Sequence, residues 1–218
     1  MIELVMRGGV GGALAVALIH DEERLFGTIG LVESIALWLA MLVLGAFFLR
    51  KARRQHLQPA DLGYRISRVA VLIGLASGAA ILGLVGAASE IDQRLFDQSR
   101  ALEFRRSLSE AGLVNAVILI PANGVLTPIV EEFAWRGYIQ RRLIVAWGAP
   151  GGILVTSLLF AGKHVVVDLW LGRTVVLILG SLALGVVGAR WGTLASTVAH
   201  LSANLSATVL ALREAGVL

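Results

Sequence analysis

The sequence predicts an all-α fold, a polytopic membrane helical bundle of about seven transmembrane helices, with six to eight as the range. Hydrophobic residues make up 57% of its 218 residues and charged residues only 16%, and the mean hydropathy is +0.81. Soluble globular domains are less apolar than this. Charge is concentrated in short segments between apolar runs, so we expect residues 1–218 to form a single integral membrane domain.

Each predicted helix is an apolar run long enough to cross about 30 Å of hydrocarbon, which takes roughly 20 helical residues. The first run is short and glycine-rich, and we expect it to be a retained span, because it lacks a clear small-residue cleavage site. The fourth is interrupted at Pro121 to Gly124 and again at Pro128, where we expect the helix to break and restart. A tight turn around Trp191 and Gly192 separates the last two. The predicted spans are 4–20, 29–49, 69–88, 113–134, 150–167, 173–190 and 193–212.

The segment after the second span is the most basic in the chain and sets the predicted orientation. By the positive-inside rule it lies in the cytoplasm, as does the amino terminus, and the carboxyl terminus lies outside if there are seven spans. Arg136, Arg141 and Arg142 then fall on the cytoplasmic side, and residues 89–112 lie outside. The net charge of +4 follows from this topology and predicts no nucleic-acid partner. The basic residues of the segment are Arg50, Lys51, Arg53, Arg54, Arg65 and Arg68.

Glu131 and Glu132 are adjacent carboxylates at the end of an apolar run, where inserting a charge costs roughly 2.5–3.5 kcal/mol. Neighbouring residues on a helix point about 100° apart, so we expect the two carboxylates to have different roles. Glu132 precedes Arg136 by four residues, the register in which a carboxylate pairs well with a following cation. Glu131 has no sequence-local cation, and we expect it to act as a general base.

Two later apolar segments carry imidazoles. His200 and Asn204 are four residues apart and share a helix face, so both can donate hydrogen bonds to the oxyanion that forms when water attacks a carbonyl. Phe160 and His164 have the same spacing and predict an aromatic wall beside an imidazole that positions the water or protonates the leaving amine. Lys163 is ambiguous, because its side chain can either reach the membrane surface or raise the local positive potential. Packing explains each residue singly, but their occurrence together on three segments favours one site.

These three patterns resemble, in order and spacing, the signature motifs of the CPBP family of intramembrane proteases. The family processes CAAX proteins and bacteriocins and is also called the Abi family. The resemblance covers roughly residues 113–212, which we therefore predict to be the catalytic core region. Trp135 stands where the family most often has Phe, a change expected to affect packing more than chemistry. The matching motifs are Glu131-Glu132-x-x-x-Arg136, Phe160-x-x-x-His164 and His200-x-x-x-Asn204.

The resemblance implies an intramembrane endopeptidase of the glutamic type that needs no cofactor. Glu131 would activate water, the histidines and the asparagine would support its attack, and the second glutamate and the arginine would organise the site. The expected substrate is a membrane-anchored protein or peptide, and the expected location is the plasma membrane of a bacterium or archaeon. The implied catalytic residues are Glu131, His164, His200 and Asn204, and the supporting residues are Glu132, Arg136 and Phe160.

Two alternatives remain open. In a zinc-dependent metallopeptidase, the carboxylates and imidazoles would hold the metal with a water in the open position. A non-catalytic bacteriocin-immunity protein would instead bind and sequester its target, as some relatives are proposed to do. A transporter is less favoured, because corresponding halves of the chain show no paired broken helices. The absence of cysteine excludes disulfides, thiolate ligands and a cysteine nucleophile.

The predicted span boundaries conflict with a shared site. If 113–134 and 150–167 each crossed the membrane simply, Glu131 would lie near the cytoplasmic face and His164 near the opposite one. We therefore expect the fourth helix to continue past Arg136 and the fifth to begin partly outside the bilayer.

Overall fold

The computed structural model describes residues 22–168 and 170–218 of the chain. All regular structure in these ranges is helical, which confirms the all-α class. Five helices there are long and apolar enough to cross a membrane, by length and composition. A total of seven spans is not confirmed, and the first predicted span, 4–20, lies outside the described residues. The elements are α1 (Glu22–Arg54), α2 (Arg68–Leu95), α3 (Ser99–Pro121), α4 (Thr127–Glu132), α5 (Arg141–Asp168), α6 (Thr174–Trp191) and α7 (Thr193–Glu214), with π-helical turns at Ala122–Leu126 and Phe133–Gln140.

The longest apolar helix, Ser99–Val167, is divided by two glycines with non-helical backbone. Gly112 has φ 60° and Gly148 has φ 74°, both in the left-handed region that favours glycine. They separate residues 99–111, 113–147 and 149–168. We call residues 113–147 the central helix. The predicted fourth span therefore begins directly after Gly112, and the predicted fifth begins two residues after Gly148.

The expected break at Pro121 to Gly124 is wrong. The π-helical turn Ala122–Leu126 carries the central helix past the proline, and the N–H of Thr127 bonds to the carbonyl of Ala122, five residues earlier. A second π-helical stretch, Phe133–Gln140, follows the adjacent carboxylates. Such stretches change the direction in which side chains face without ending the helix, and they are frequent at functional sites.

Gly148 is the turning point that brings Glu131 and His164 to one level. Glu131 lies 17 residues before this glycine and His164 lies 16 residues after it. At 1.5 Å per residue, each is about 25 Å from the turn. The conflict in the predicted boundaries disappears because the central helix continues past Arg136, as expected, and turns only at Gly148.

The loop between α1 and α2 lies at the same end of the bundle as the turns at Gly148 and Gly192. Thr193 Oγ1 donates to the carbonyl oxygen of Leu62 at 2.6 Å, and Arg142 donates to Gln55 Oε1 at 2.6 Å. The basic loop and the carboxyl end of the central helix thus lie at one end of the bundle, as the predicted alternation of spans across the membrane requires.

Helices α2 and α7 pack closely because small residues line their contact. A Cβ added to Gly74 would lie 2.6 Å from Val198 Cβ, and one added to Gly78 would lie 2.8 Å from the carbonyl oxygen of Ala199. Small residues at helix contacts let backbones approach when lipid supplies no hydrophobic force between helices. This contact sets the position of the helix that carries His200.

We expect Gly78→Ala to lower the free energy of unfolding by about 1–3 kcal/mol through overpacking. The added methyl group would collide with Ser202 and with the backbone of α7. Gly83→Ala is the matched control, because a Cβ there meets nothing within 4 Å. Thermal melting of the purified variants in detergent measures the difference, and equal melting temperatures would contradict the packing argument.

Asp92 on α2 is a buried carboxylate that holds the start of α6. Its Oδ1 accepts from the N–H of Val175 at 3.0 Å and its Oδ2 from the N–H of Val176 at 2.9 Å. Both donors belong to the first turn of α6, where backbone N–H groups lack helical partners. Asp92 therefore caps a helix to which it is not connected in sequence.

Asp92→Ala is expected to reduce stability by about 1–3 kcal/mol, because it leaves two partly buried N–H groups without an acceptor. Glu90→Ala removes an exposed carboxylate from the same helix and serves as the control. Chemical unfolding in detergent distinguishes the two, and similar stabilities would show that the cap contributes little.

Candidate active site

Glu132 is fully buried at the centre of the bundle and has two basic partners on the same oxygen. Arg136 Nη1 donates to Glu132 Oε1 at 2.9 Å, which confirms the pair predicted from the spacing. The Nδ1 atom of His200 lies 2.9 Å from the same oxygen. With Nδ1 protonated, His200 donates to the carboxylate and its Nε2 remains for another contact.

Arg136 is held rigidly within the bundle. Its Nη2 donates to both the hydroxyl and the carbonyl oxygen of Ser181 on α6, at 2.8 and 3.1 Å. The guanidinium also lies 4.9 Å from the centre of the Phe160 ring. No part of its side chain is exposed. Arg136 is therefore part of the bundle interior and is not an exposed surface charge.

Glu131, 2% exposed, is paired with two residues of α5. Lys163 Nζ donates to Glu131 Oε1 at 2.7 Å, and His164 Nε2 lies 3.5 Å from the same atom. Glu131 has no cation close to it in sequence, as expected, but the fold brings it a cation from 32 residues further along the chain. Lys163, left ambiguous by the sequence, thus lies in the site.

The two carboxylates have matching environments. Each is contacted by one cationic side chain and one imidazole, and neither pair shares a member with the other. The two groups differ in exposure: the Arg136 side chain is fully buried, whereas 18% of the Lys163 side chain is exposed. This difference agrees with the expectation that Glu131 and Glu132, which point about 100° apart on the helix, have different roles.

Phe160 forms the aromatic wall between the two groups. Its ring centre lies 4.8 Å from that of His164, 6.4 Å from that of His200 and 5.6 Å from that of Trp135. The Phe160 ring thus lies close to both imidazoles. Trp135 contributes by packing edge-on against it.

Asn204 is one helical turn beyond His200 and binds a different partner. Its Nδ2 donates to the carbonyl oxygen of Asn123 at 3.1 Å, within the π-helical turn of the central helix. Asn123 Nδ2 in turn donates to Thr208 Oγ1 at 2.9 Å. No hydrogen bond links Asn204 to Glu131 or to Glu132 in the described ranges, so the amide is not part of the two carboxylate groups.

The backbone of α5 packs against α6 and against Phe133–Gln140 of the central helix, but within the described residues it does not approach Thr127–Glu132 or α7. We call the region between α5 and Thr127–Glu132, where the two backbones do not pack directly, the gap beside α5. The side chains of Lys163 and His164 bridge this gap to reach Glu131, and 14% of the His164 side chain is exposed. The site therefore reaches the protein surface beside α5.

A zinc site would require three or more ligands around one point. Among the residues that the structure describes, no group of three from histidine, aspartate and glutamate is placed to hold a metal ion. The imidazoles instead contact separate carboxylates. The geometry does not favour the zinc alternative.

Sequence reasoning missed three residues next to the site. Ser181 accepts hydrogen bonds from Arg136, and the carbonyl of Asn123 accepts one from Asn204. Of these two residues, only Asn123 lies in a segment with a distinctive sequence pattern, Pro121 to Gly124. Tyr64, in the loop between α1 and α2, lies 3.4 Å from Thr197 Oγ1, and burial raises the pKa of Tyr64 to about 12. No local pattern marks Tyr64 or Ser181.

Residues 113–206 match a protein-family model described as Type II CAAX prenyl endopeptidase Rce1-like. The match covers the central helix, α5 and α6, and α7 as far as Leu205 and Ser206. Neither the curated proteins nor the solved structures include a match to this chain.

Proposed function

Because the chain belongs, through residues 113–206, to the Rce1-like CAAX proteases and so to the CPBP family, we propose that it is a glutamate-dependent intramembrane endopeptidase. The family and the apolar helices support an integral membrane protease in a lipid bilayer with a protein substrate. The proposal adds the mechanism and the class of substrate. Its main support is the pairing of two buried carboxylates, each with one cation and one imidazole, at one level of the bundle.

In the proposed reaction, Glu131 takes a proton from a water molecule, and the resulting hydroxide attacks a peptide carbonyl. Both basic contacts of Glu131 are made through Oε1, so we assign the water to Oε2. His164 and the Nε2 atom of His200 would orient this water. A general base positioned in this way contributes typically about 10²–10⁴-fold to the rate.

The oxyanion needs hydrogen-bond donors fixed at the site. Asn204 supplies one: its amide has two N–H groups, of which one is used by the carbonyl of Asn123. We propose that the other N–H faces the oxyanion. Glu132 and Arg136 would not react, but would hold His200 in the required orientation.

The gap beside α5 gives the proposed substrate its route. Both helices beside it carry exposed apolar side chains, among them Val125 and Ile129 on the central helix and Leu159 and Val166 on α5. A membrane-anchored peptide can lie against such surfaces without exposing charge to lipid. We therefore propose a membrane-associated peptide as the substrate and entry from the bilayer beside α5.

We also propose that the end of the bundle with the Gly148 turn is cytoplasmic. The basic loop between α1 and α2 and the exposed Arg142 contact lie at this end, as the positive-inside rule requires. Reporter fusions to the loop 55–67 and to residues 96–98 test this orientation directly.

The cellular test compares the proteome of a wild-type strain with that of a Glu131→Gln strain. A processed terminus found only in the wild type is the expected result. Identical termini in the two strains would contradict the endopeptidase and favour the non-catalytic binding protein.

A test with purified protein uses two internally quenched peptides. One ends in a farnesylated cysteine and three further residues, as the description of the matching family suggests, and the other is an unprenylated apolar helix with a short polar tail. Cleavage of only one identifies the substrate class. Cleavage that survives exhaustive chelation supports the metal-free mechanism, and loss of cleavage that zinc restores would contradict it.

A further inference from the structure

Lysine is rare in this chain, which makes Lys163 informative. Of the 19 cationic residues only Lys51 and Lys163 are lysine, and the other 17 are arginine. Arginine stays protonated in proteins, whereas a lysine ammonium can give up a proton when its surroundings favour the neutral amine. The chain thus places one of its two lysines against the proposed general base.

The two cations of the site differ in exposure, which suits Arg136 to holding the site together and Lys163 to contacting a substrate. Arg136 is enclosed and makes hydrogen bonds to Glu132 and Ser181. Lys163 sits at the gap beside α5, with its Nζ 2.7 Å from Glu131 Oε1 and 5.5 Å from the centre of the Phe160 ring. A partly exposed, flexible ammonium at this position can reach a peptide that enters the gap.

We propose that Lys163 is a catalytic residue that protonates the leaving amine, an inference that rests on the proposed function. Glu131 accepts one proton from water as the hydroxide bonds to the carbonyl carbon. As the C–N bond of the tetrahedral intermediate breaks, Lys163 donates a proton to the departing nitrogen and becomes a neutral amine. The products are a carboxylic acid and an amine, and no further reactant is needed.

The hydrogen bond between Lys163 and Glu131 also lets the enzyme return to its resting protonation state. After cleavage Glu131 carries a proton and Lys163 lacks one, and their hydrogen bond lets that proton pass directly from oxygen to nitrogen. The resting ion pair is restored in a single transfer. Glu131 and Lys163 thus act as one proton relay from water to the leaving group.

The first experiment separates proton donation from a purely electrostatic role. Lys163→Met and Lys163→Arg are compared on the quenched peptide that the wild-type protein cleaves and on its analogue with an ester at the scissile bond. Both variants should lower kcat for the amide by about 10²-fold or more with little change in KM. The loss should be at least about tenfold smaller for the ester, because an alkoxide leaves without full protonation.

The second experiment restores the ammonium chemically. The chain has no cysteine, so Lys163→Cys introduces a unique thiol that bromoethylamine converts to a side chain of nearly lysine length. Aminoethylation should recover kcat to within about tenfold of wild type, whereas methylthiolation should not. Lys51→Met and Lys51→Cys are matched controls at the other, exposed lysine, and they should retain wild-type rates.

The outcomes distinguish the two proposals. Full activity of Lys163→Arg, or equal losses on the amide and the ester, would overturn the role of Lys163 while leaving the endopeptidase in place. Wild-type protein that cleaves neither peptide would contradict the proposed function itself, and the role of Lys163 would fall with it.

Discussion

Glu131→Gln is expected to lower the rate of peptide cleavage by about 10²–10⁴-fold while leaving the fold intact. Glutamine has nearly the same size, and its amide oxygen can still accept from Lys163, but it cannot take a proton from water. The Lys163 side chain is 18% exposed, so loss of its charged partner should cost less than the roughly 3–5 kcal/mol typical of breaking a fully buried ion pair. Initial rates on the quenched peptide and thermal melting in detergent measure the two effects.

A control variant separates the loss of a base from a general loss of charge. Glu103→Gln removes a carboxylate from an exposed ion pair with Arg100, and it should leave both rate and stability unchanged. Unaltered cleavage by Glu131→Gln would show that another group activates the water.

Arg136→Met is expected to destabilise the protein by about 3–5 kcal/mol, because it leaves Glu132 buried without its cation. The variant also removes the donors to Ser181 on α6. Activity should fall with the folded fraction and with the misplacement of His200. Denaturant unfolding in detergent, followed by tryptophan fluorescence, measures the loss.

A double variant tests whether the unpaired charge of Glu132 causes the loss of stability. In the double variant Glu132→Gln and Arg136→Met no charge is left uncompensated in this pair, so part of the stability should return. Arg100→Met, at an exposed pair, should cost less than about 1 kcal/mol. A double variant no more stable than Arg136→Met alone would show that lost packing, rather than the unpaired charge, causes the effect.

The parts of the site that follow from local helical geometry could be predicted. The pair of Glu132 and Arg136 depends only on a spacing of four residues along one helix, and this spacing survives in the structure even though the π-helical stretch begins at Phe133. Apolar runs likewise predicted the helices, since hydrocarbon thickness fixes their minimum length.

Long-range contacts could not be predicted in the same way. Lys163 meets Glu131, and Asp92 meets the start of α6, only after separate helices have packed. The break expected at Pro121 does not occur, for a different reason. Proline lacks a backbone N–H donor, but the helix continues because a π-helical turn follows, in which the N–H of Thr127 bonds to the carbonyl of Ala122, five residues earlier. The position of the turn at Gly148 decided which residues became neighbours, and hydropathy does not mark it.

The turn at Gly148 also restricts how the length of this protein can change. A single insertion between Glu131 and the glycine would raise the carboxylate by about 1.5 Å and rotate it by about 100° relative to His164. A second insertion on the returning arm would restore the height but would also rotate the imidazole. Homologous chains and designed variants should therefore keep both arms constant in length, and accept extra residues at the loops beyond them.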